Sequence, residues 1–179
     1  KFALFGLLGT VGLGSIMSLA LIFGWSLALP PLADLHAGWG LGGWAGILLA
    51  AMAYVVVPMF QLTPGYPARS SWWFPVFMLA MLLMWTVAML LDQPMVVRFG
   101  QLGAALAGIA FAVQTLRLQA RRRRARPDAT YRYWQLGLIS SIFALFLPST
   151  AAMWPVVAEY EGWPLMFGVL LIGGGFLPF

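Results

Sequence analysis

Long uninterrupted apolar runs constrain the fold of this chain more than any other feature of its sequence. A helix needs about 20 apolar residues to cross the hydrocarbon core of a bilayer. Stretches that approach or exceed that length cover residues 2–29, 37–62, 72–91, 99–119, 133–157 and 164–179, the last of them short. The runs are continuous and lack the alternating pattern of a membrane β-barrel, so only helices fit. The sequence predicts an all-α, polytopic integral membrane helix bundle with about six transmembrane helices.

The composition supports the same fold class. The chain is 62% hydrophobic and only 8% charged, whereas a soluble domain carries about 25% charged residues. A soluble domain of 179 residues could not bury this much apolar surface. There is no cysteine, which excludes disulfides, thiolate metal sites and a cysteine nucleophile. We predict a single transmembrane domain over residues 1–179, and we expect it to be part of a longer protein.

The basic residues predict an orientation, because cytoplasmic loops of membrane proteins carry an excess of Lys and Arg. With the N-terminus in the cytoplasm, nine of the ten basic residues lie inside and only Arg98 lies outside. Four of the five acidic residues, Asp34 among them, then lie outside. The sequence therefore predicts a multi-pass protein with its N-terminus and a basic loop at 117–132 in the cytoplasm.

The most conspicuous part of that loop is the run Arg121–Arg124. Arginine runs also occur in nucleic-acid-binding proteins. Here the run directly follows a predicted membrane helix, where topology and contact with anionic lipid headgroups explain it. We predict lipid headgroups, and not nucleic acid, as the partner of Arg121, Arg122, Arg123 and Arg124.

Glycines repeat at helical spacing in the first two predicted helices. The repeats are Gly6, Gly9 and Gly12 at intervals of three, and Gly38, Gly42 and Gly46 at intervals of four. Small residues allow two helices to approach closely. A face without side chains could also leave room for a flat cofactor against the helix, and the two interpretations are compatible.

His36 is the only histidine of the chain, and it stands at the predicted outer end of the second helix, beside Asp34. One interpretation is a histidine that caps the helix or pairs with Asp34. The other is an axial ligand of a haem held between helices, because neutral imidazole is a standard ligand of haem iron. Its second nitrogen would then need an acceptor, such as Asp34 or a loop carbonyl.

The segment that begins at His36 also resembles a known family. The pattern His36-x-x-x-Gly40-x-x-Gly43-Trp44, followed by Tyr54 and Val57-Pro58-Met59-Phe60, resembles the second helix of the haem-copper oxidase catalytic-subunit superfamily. It looks closest to the divergent, NnrS-like and oxidase-like membrane relatives in that superfamily, and it extends over about 30 of the 179 residues. The resemblance implies that His36 is the iron ligand of heme b, with Gly40, Gly43 and Trp44 in the haem-binding segment. It also implies a place in electron transport in the bacterial inner membrane.

The chain departs from the catalytic subunits of that superfamily, which have about twice as many helices and further histidines for copper and for the haem. With one histidine, it cannot assemble a copper–haem oxygen-reducing centre. The leading hypothesis is therefore a haem-binding, oxidase-like membrane protein for electron transfer or the handling of NO or O2, and whether it is an enzyme stays open.

Two alternatives carry no cofactor. One is a structural or accessory subunit that works with partner subunits or as an oligomer. The other is a transporter of a small neutral or apolar solute, with helix kinks at Pro58 and Pro148. Its candidate polar groups are Gln61, Gln101, Gln114, Ser140 and Ser141.

Overall fold

The computed structural model describes residues 1–123, 126–154, 156, 159–160 and 162–179. These residues form an all-helical bundle without a strand, which confirms the predicted fold class. The helical elements are α1 (Phe2–Phe23), α2 (Leu29–Ala37), π1 (Gly38–Gly46), α3 (Ile47–Gln61), α4 (Ala68–Leu90), α5 (Pro94–Ala120), α6 (Ala129–Met153), α7 (Trp163–Gly168) and π2 (Val169–Phe176).

Four stretches are long and apolar enough to cross a membrane, among the residues that the structure describes. They are Phe2–Phe23, Leu29–Gln61, Ala68–Leu90 and Pro94–Ala120, so the fold is compatible with a membrane protein. Helix α6 has a comparable length of 25 residues. Its predicted continuation reached Pro155 and Val157, which lie outside the described residues. The last predicted helix is a shorter apolar helix, Trp163–Phe176.

The predicted boundary between the first two helices is wrong. Helix α1 ends at Phe23, because Gly24 adopts a left-handed conformation (φ 65°) and its N–H donates to the Ala20 carbonyl. Pro30 and Pro31, which directly follow the first predicted run, lie in the first turn of α2, where a missing N–H costs no helical hydrogen bond. The second helix therefore begins at Leu29, and His36 lies inside it.

Elements α2, π1 and α3 join into one helix of 33 residues, Leu29–Gln61. In its middle, nine residues follow π-helical hydrogen bonding, a feature that the sequence prediction did not contain. The helix ends where Leu62 takes a left-handed conformation, with φ 54°, close to the predicted end. The Leu62 carbonyl accepts a 3.0 Å hydrogen bond from the Arg123 N–H, which brings the α3–α4 and α5–α6 connections together.

The helices alternate in direction, so the bundle has two ends. We name them the Asp34 end, where α2, α5 and α7 begin, and the Arg117 end, where α3 and α5 finish. The predicted basic loop 117–132 lies at the Arg117 end, but α5 continues to Ala120 and α6 starts at Ala129, so both ends of that segment are helical.

Buried side chains hold the central helices together. One cluster, which includes Leu35, Trp39, Leu82 and Trp85, joins α2 and π1 to α4. A second cluster includes Ala53, Val57, Phe111 and Trp134 and joins α3 to α5 and α6. By contrast, α1 leaves most of its large apolar side chains exposed. It contacts the bundle through Gly6, Gly9 and Gly14 and through the partly buried Phe2 and Leu13.

Candidate functional site

His36 lies in the last turn of α2 and faces α1. A Cβ placed on Gly14 of α1 would lie 3.1 Å from the imidazole Cε1, so the glycine leaves room for the ring. The Nδ1 atom of His36 is buried and has no hydrogen-bond partner among the described residues. A buried polar atom without a partner costs about 1–3 kcal/mol, so this atom calls for a physical explanation.

Asp34 does not supply that partner. Residues two apart on a helix do not face each other, and Asp34 lines a cavity on the side of α2 away from Gly14. Nor does His36 cap the helix. The N-cap residue is Ala28, which makes no side-chain hydrogen bond. Both simple structural interpretations of His36 are therefore wrong.

The other residues of the predicted haem-binding segment have different surroundings. Gly40 lies against Thr10 of α1, whose Cγ2 would be 3.4 Å from a Cβ at that position. Gly43 lies against the Gly6 backbone. The Trp44 side chain is 41% exposed. His36, Gly40 and Gly43 thus share the face that packs on α1, and the backbone of Trp44 also lies against Gly6 of that helix.

The glycine row at intervals of four lines a cavity of about 550 Å³. The cavity is bounded by α2, π1, α4, α5, α6, α7 and π2, and Gly38, Gly42 and Gly46 form part of its wall. Pro148, the predicted kink position in α6, also borders it. The same helix thus packs closely on α1 through one glycine face, and through the other it borders the cavity, where Gly38 and Gly42 lie against Trp85 and Met78 of α4.

Polar groups lie at one end of this largely apolar cavity. Asp34, Arg98 and Trp163 line it, each within two turns of the start of its helix, and Gln101 follows Arg98 on the same face of α5. The indole Nε1 of Trp163 is buried without a hydrogen-bond partner among the described residues. The Asp34 end of the cavity therefore offers a buried donor beside one acidic and one basic side chain. His36 does not line this cavity.

The polar residues proposed for transport are divided among several environments. Gln101 and Ser141 line the cavity. Gln119 donates from Nε2 to Oε1 of Gln61 at 2.9 Å. Gln114 donates to Oγ of Ser70 at 2.7 Å. Ser140 packs against Gly174.

A tyrosine pair at the Arg117 end was not foreseen from the sequence. The Tyr54 and Tyr66 rings meet edge to face with centroids 4.9 Å apart. The Tyr66 hydroxyl shares a 2.9 Å hydrogen bond with Oγ1 of Thr115. Burial raises the pKa of Tyr66 to about 12, although the Thr115 hydrogen bond opposes the rise. No local pattern could reveal a contact between residues 49 positions apart.

Comparison with protein-family models, with curated proteins and with solved structures finds no match. Among the described residues, no group of three or more His, Asp or Glu side chains is placed to hold a metal ion. The haem-copper oxidase resemblance therefore stays a prediction, carried by the segment that begins at His36.

Proposed function

We propose that this chain belongs to a membrane protein that binds heme b through His36 and serves electron transfer or the handling of NO or O2. The observation that carries the proposal is the unpartnered, buried Nδ1 of His36. An imidazole that ligates iron uses one nitrogen for the metal and offers the other to an acceptor. A histidine whose buried Nδ1 has no partner among the described residues, in a chain that is only 8% charged, is more readily explained by a ligand than by stability.

The residues present fit one axial ligand of a haem. His36 can supply an imidazole nitrogen, and Gly14 leaves space beside its ring. His36 does not line the 550 Å³ cavity, so that cavity would not hold a haem ligated by His36. A second axial histidine would come from another chain or from a segment beyond these 179 residues. When bound, haem supplies one-electron transfer or diatomic gas binding, while His36 holds and orients it.

A pyridine haemochrome spectrum of the purified full-length protein, produced with ample haem, tests the proposal. We expect haem in the wild type, its loss in His36→Ala, and partial recovery when imidazole is added to that variant. Ser18→Ala is the control, because Ser18 donates to the Gly14 carbonyl (2.9 Å) without contacting the imidazole. A wild type without haem, or an unchanged spectrum in His36→Ala, would contradict the proposal. Stable partner proteins together with a colourless product would favour the accessory-subunit alternative.

The cavity favours a second candidate function, the binding and transport of a small neutral solute. Its volume of about 550 Å³ falls within the range of ordinary ligand sites, about 300–1,000 Å³. Its polar end includes the free indole donor of Trp163, which suits a solute with an apolar body and a hydrogen-bond acceptor.

Efflux of small alcohols, ketones and amides from proteoliposomes tests this second candidate. Ala104→Leu narrows the cavity and should slow efflux. Ala51→Leu adds the same volume at an exposed position of α3 and should leave efflux unchanged. Efflux no faster than from protein-free liposomes, for every solute of the panel, would contradict a transport role.

A further inference from the structure

A groove runs along the surface between α4 and α5, starting at the Arg117 end. On α5 its wall is a single helical stripe, because the side chains recur at intervals of three and four. That stripe consists of Leu106, Ala110, Val113, Arg117 and Arg121. On α4 the facing residues include Arg69, Trp73 and Phe77. The groove encloses about 980 Å³ and is open to the surface.

One hydrogen bond fixes the register of the two walls. Gln114 of α5 donates from Nε2 to Oγ of Ser70, in the first turn of α4, at 2.7 Å. Arg69 precedes Ser70, and Arg117 stands one turn after Gln114 on the same face. Arg121 follows one turn later. The three guanidinium groups therefore gather at the same end of the groove.

Nothing in the groove neutralises these three charges. Its described lining contains no acidic residue. The acidic residue next along the chain, Asp128, accepts a hydrogen bond from the Tyr131 N–H at the start of α6. The opposite end of the bundle differs, because there Arg98 shares its cavity with Asp34. The described lining of the groove is thus basic, with no acidic side chain to pair with its three arginines.

Beyond the arginines the groove becomes apolar and exposed. Trp73 is 59% exposed, Phe77 is 44% exposed and Leu106 is 57% exposed. Tryptophan beside basic residues is typical of the level of the headgroups in a membrane protein. The apolar walls continue from that level along α4 and α5 for several turns, as an acyl chain would require.

We propose that this groove binds an acidic phospholipid, with the phosphate on Arg69, Arg117 and Arg121 and an acyl chain along Phe77 and Leu106. Guanidinium groups match phosphate geometry through paired hydrogen bonds. Basic pockets between membrane helices are known binding sites for such headgroups.

Among the described arginines of the run, only Arg121 lines the site. The guanidinium carbon of Arg122 lies 3.9 Å from the centre of the Tyr131 ring. The backbone N–H of Arg123 donates to the Leu62 carbonyl at 3.0 Å. Arg124 lies outside the described residues. The lipid site therefore differs from the general headgroup contact predicted for the whole run.

Native mass spectrometry of the full chain, released from neutral detergent, tests the proposal with phosphatidylglycerol, phosphatidylcholine and inorganic phosphate as probes. We expect phosphatidylglycerol to bind at least about tenfold more tightly than phosphatidylcholine. Each single change, Arg69→Gln, Arg117→Gln or Arg121→Gln, should weaken phosphatidylglycerol binding about fivefold. The triple variant should weaken it about a hundredfold.

The matched control is the triple variant Arg123→Gln, Arg126→Gln and Arg132→Gln, which removes the same charge from exposed positions outside the groove. It should retain phosphatidylglycerol affinity within about threefold, and helical circular dichroism of all variants checks that they fold. Ala110→Trp blocks the apolar part of the groove and should weaken lipid binding as well.

Three outcomes would overturn the proposal. Equal losses in the two triple variants would mean that only overall charge matters. Equal affinity for the two phospholipids would remove the role of the anionic headgroup. Inorganic phosphate that binds as tightly as the lipid, with no effect of Ala110→Trp on lipid binding, would identify a phosphate site instead.

Discussion

The backbone of Gly6 in α1 lies directly against the Gly43 carbonyl of π1, so closely that a Cβ on Gly6 would overlap it. The reverse approach is also tight, because a Cβ on Gly43 would lie 3.3 Å from Gly6 Cα. Because α1 has few buried side chains of its own, this contact contributes much of its attachment to the bundle.

Gly6→Ala should therefore destabilise the protein by about 1–3 kcal/mol, since the added methyl forces α1 and π1 apart. Gly12→Ala, on the same helix, is the matched control. A Cβ there meets nothing within 4 Å, and alanine favours the helix by up to about 1 kcal/mol. Thermal unfolding in detergent measures both variants, and equal effects would refute the close contact.

The buried Gln61–Gln119 pair, which joins the last turns of α3 and α5, gives a second prediction. The pair makes one hydrogen bond of 2.9 Å and leaves Nε2 of Gln61 and Oε1 of Gln119 without partners among the residues that the structure describes. Either single change to Leu should cost about 1–3 kcal/mol, because it leaves another buried amide unsatisfied. The double variant should recover part of that loss. A double-mutant cycle on unfolding free energies measures the coupling, and strictly additive losses would argue against the pairing.

Stability at alkaline pH should depend on Tyr66. The pKa of this tyrosine is about 12 in the folded protein against 10.0 as the ordinary value. Below pH 10 the Tyr66 phenol is neutral in both the folded and the unfolded state, and its full contribution to the free energy of unfolding is present. Between about pH 10 and 12 the unfolded state ionises first, so stability falls as pH rises.

Tyr66→Phe should start from a lower stability at neutral pH, because it loses the Thr115 hydrogen bond. Its alkaline decline should nevertheless be shallower than that of the wild type. Unfolding midpoints across that pH range check the difference. Tyr160→Phe, at a side chain that is 65% exposed, is the control and should follow the wild type. Parallel curves for Tyr66→Phe and the wild type would contradict the prediction.

The start of α6 offers a fourth prediction. Asp128 is its cap residue, and a carboxylate oxygen accepts a 2.9 Å hydrogen bond from the Tyr131 N–H. Asp128→Ala should lower stability by about 1 kcal/mol, whereas Asp128→Asn keeps an acceptor and should lose much less. Chemical unfolding in detergent distinguishes the two, and equal losses would assign the effect to charge and not to the cap.

Run length and hydropathy were sufficient to predict the fold class. They also placed the last residues of α3, α4 and α5 to within one position, and the first residues of α4 and α5 to within five. They were insufficient at Pro30-Pro31, because a proline pair can follow the end of one helix or occupy the first turn of the next. The choice depended on Gly24, whose left-handed conformation ends α1 first.

The site was foreseen less completely than the fold. Sequence reasoning singled out His36 and two glycine faces, but it could not tell which face meets α1 and which meets the cavity. That assignment depends on neighbours such as Gly14 and Trp85, far away in sequence. The lipid groove was not predicted for the same reason. Arg69 and Arg117 are far apart in sequence, and only the fold brings them to one groove.

The π-helical segment π1 separates two parts of a single helix that face different neighbours. A residue added to or removed from a helix turns everything beyond it by about 100°. The deletion of one residue within Gly38–Gly46 would therefore swing His36 away from Gly14 and Asp34 away from the cavity, while α3 kept its place. The number of residues in the glycine-rich segment π1 therefore determines the direction in which the His36 imidazole points.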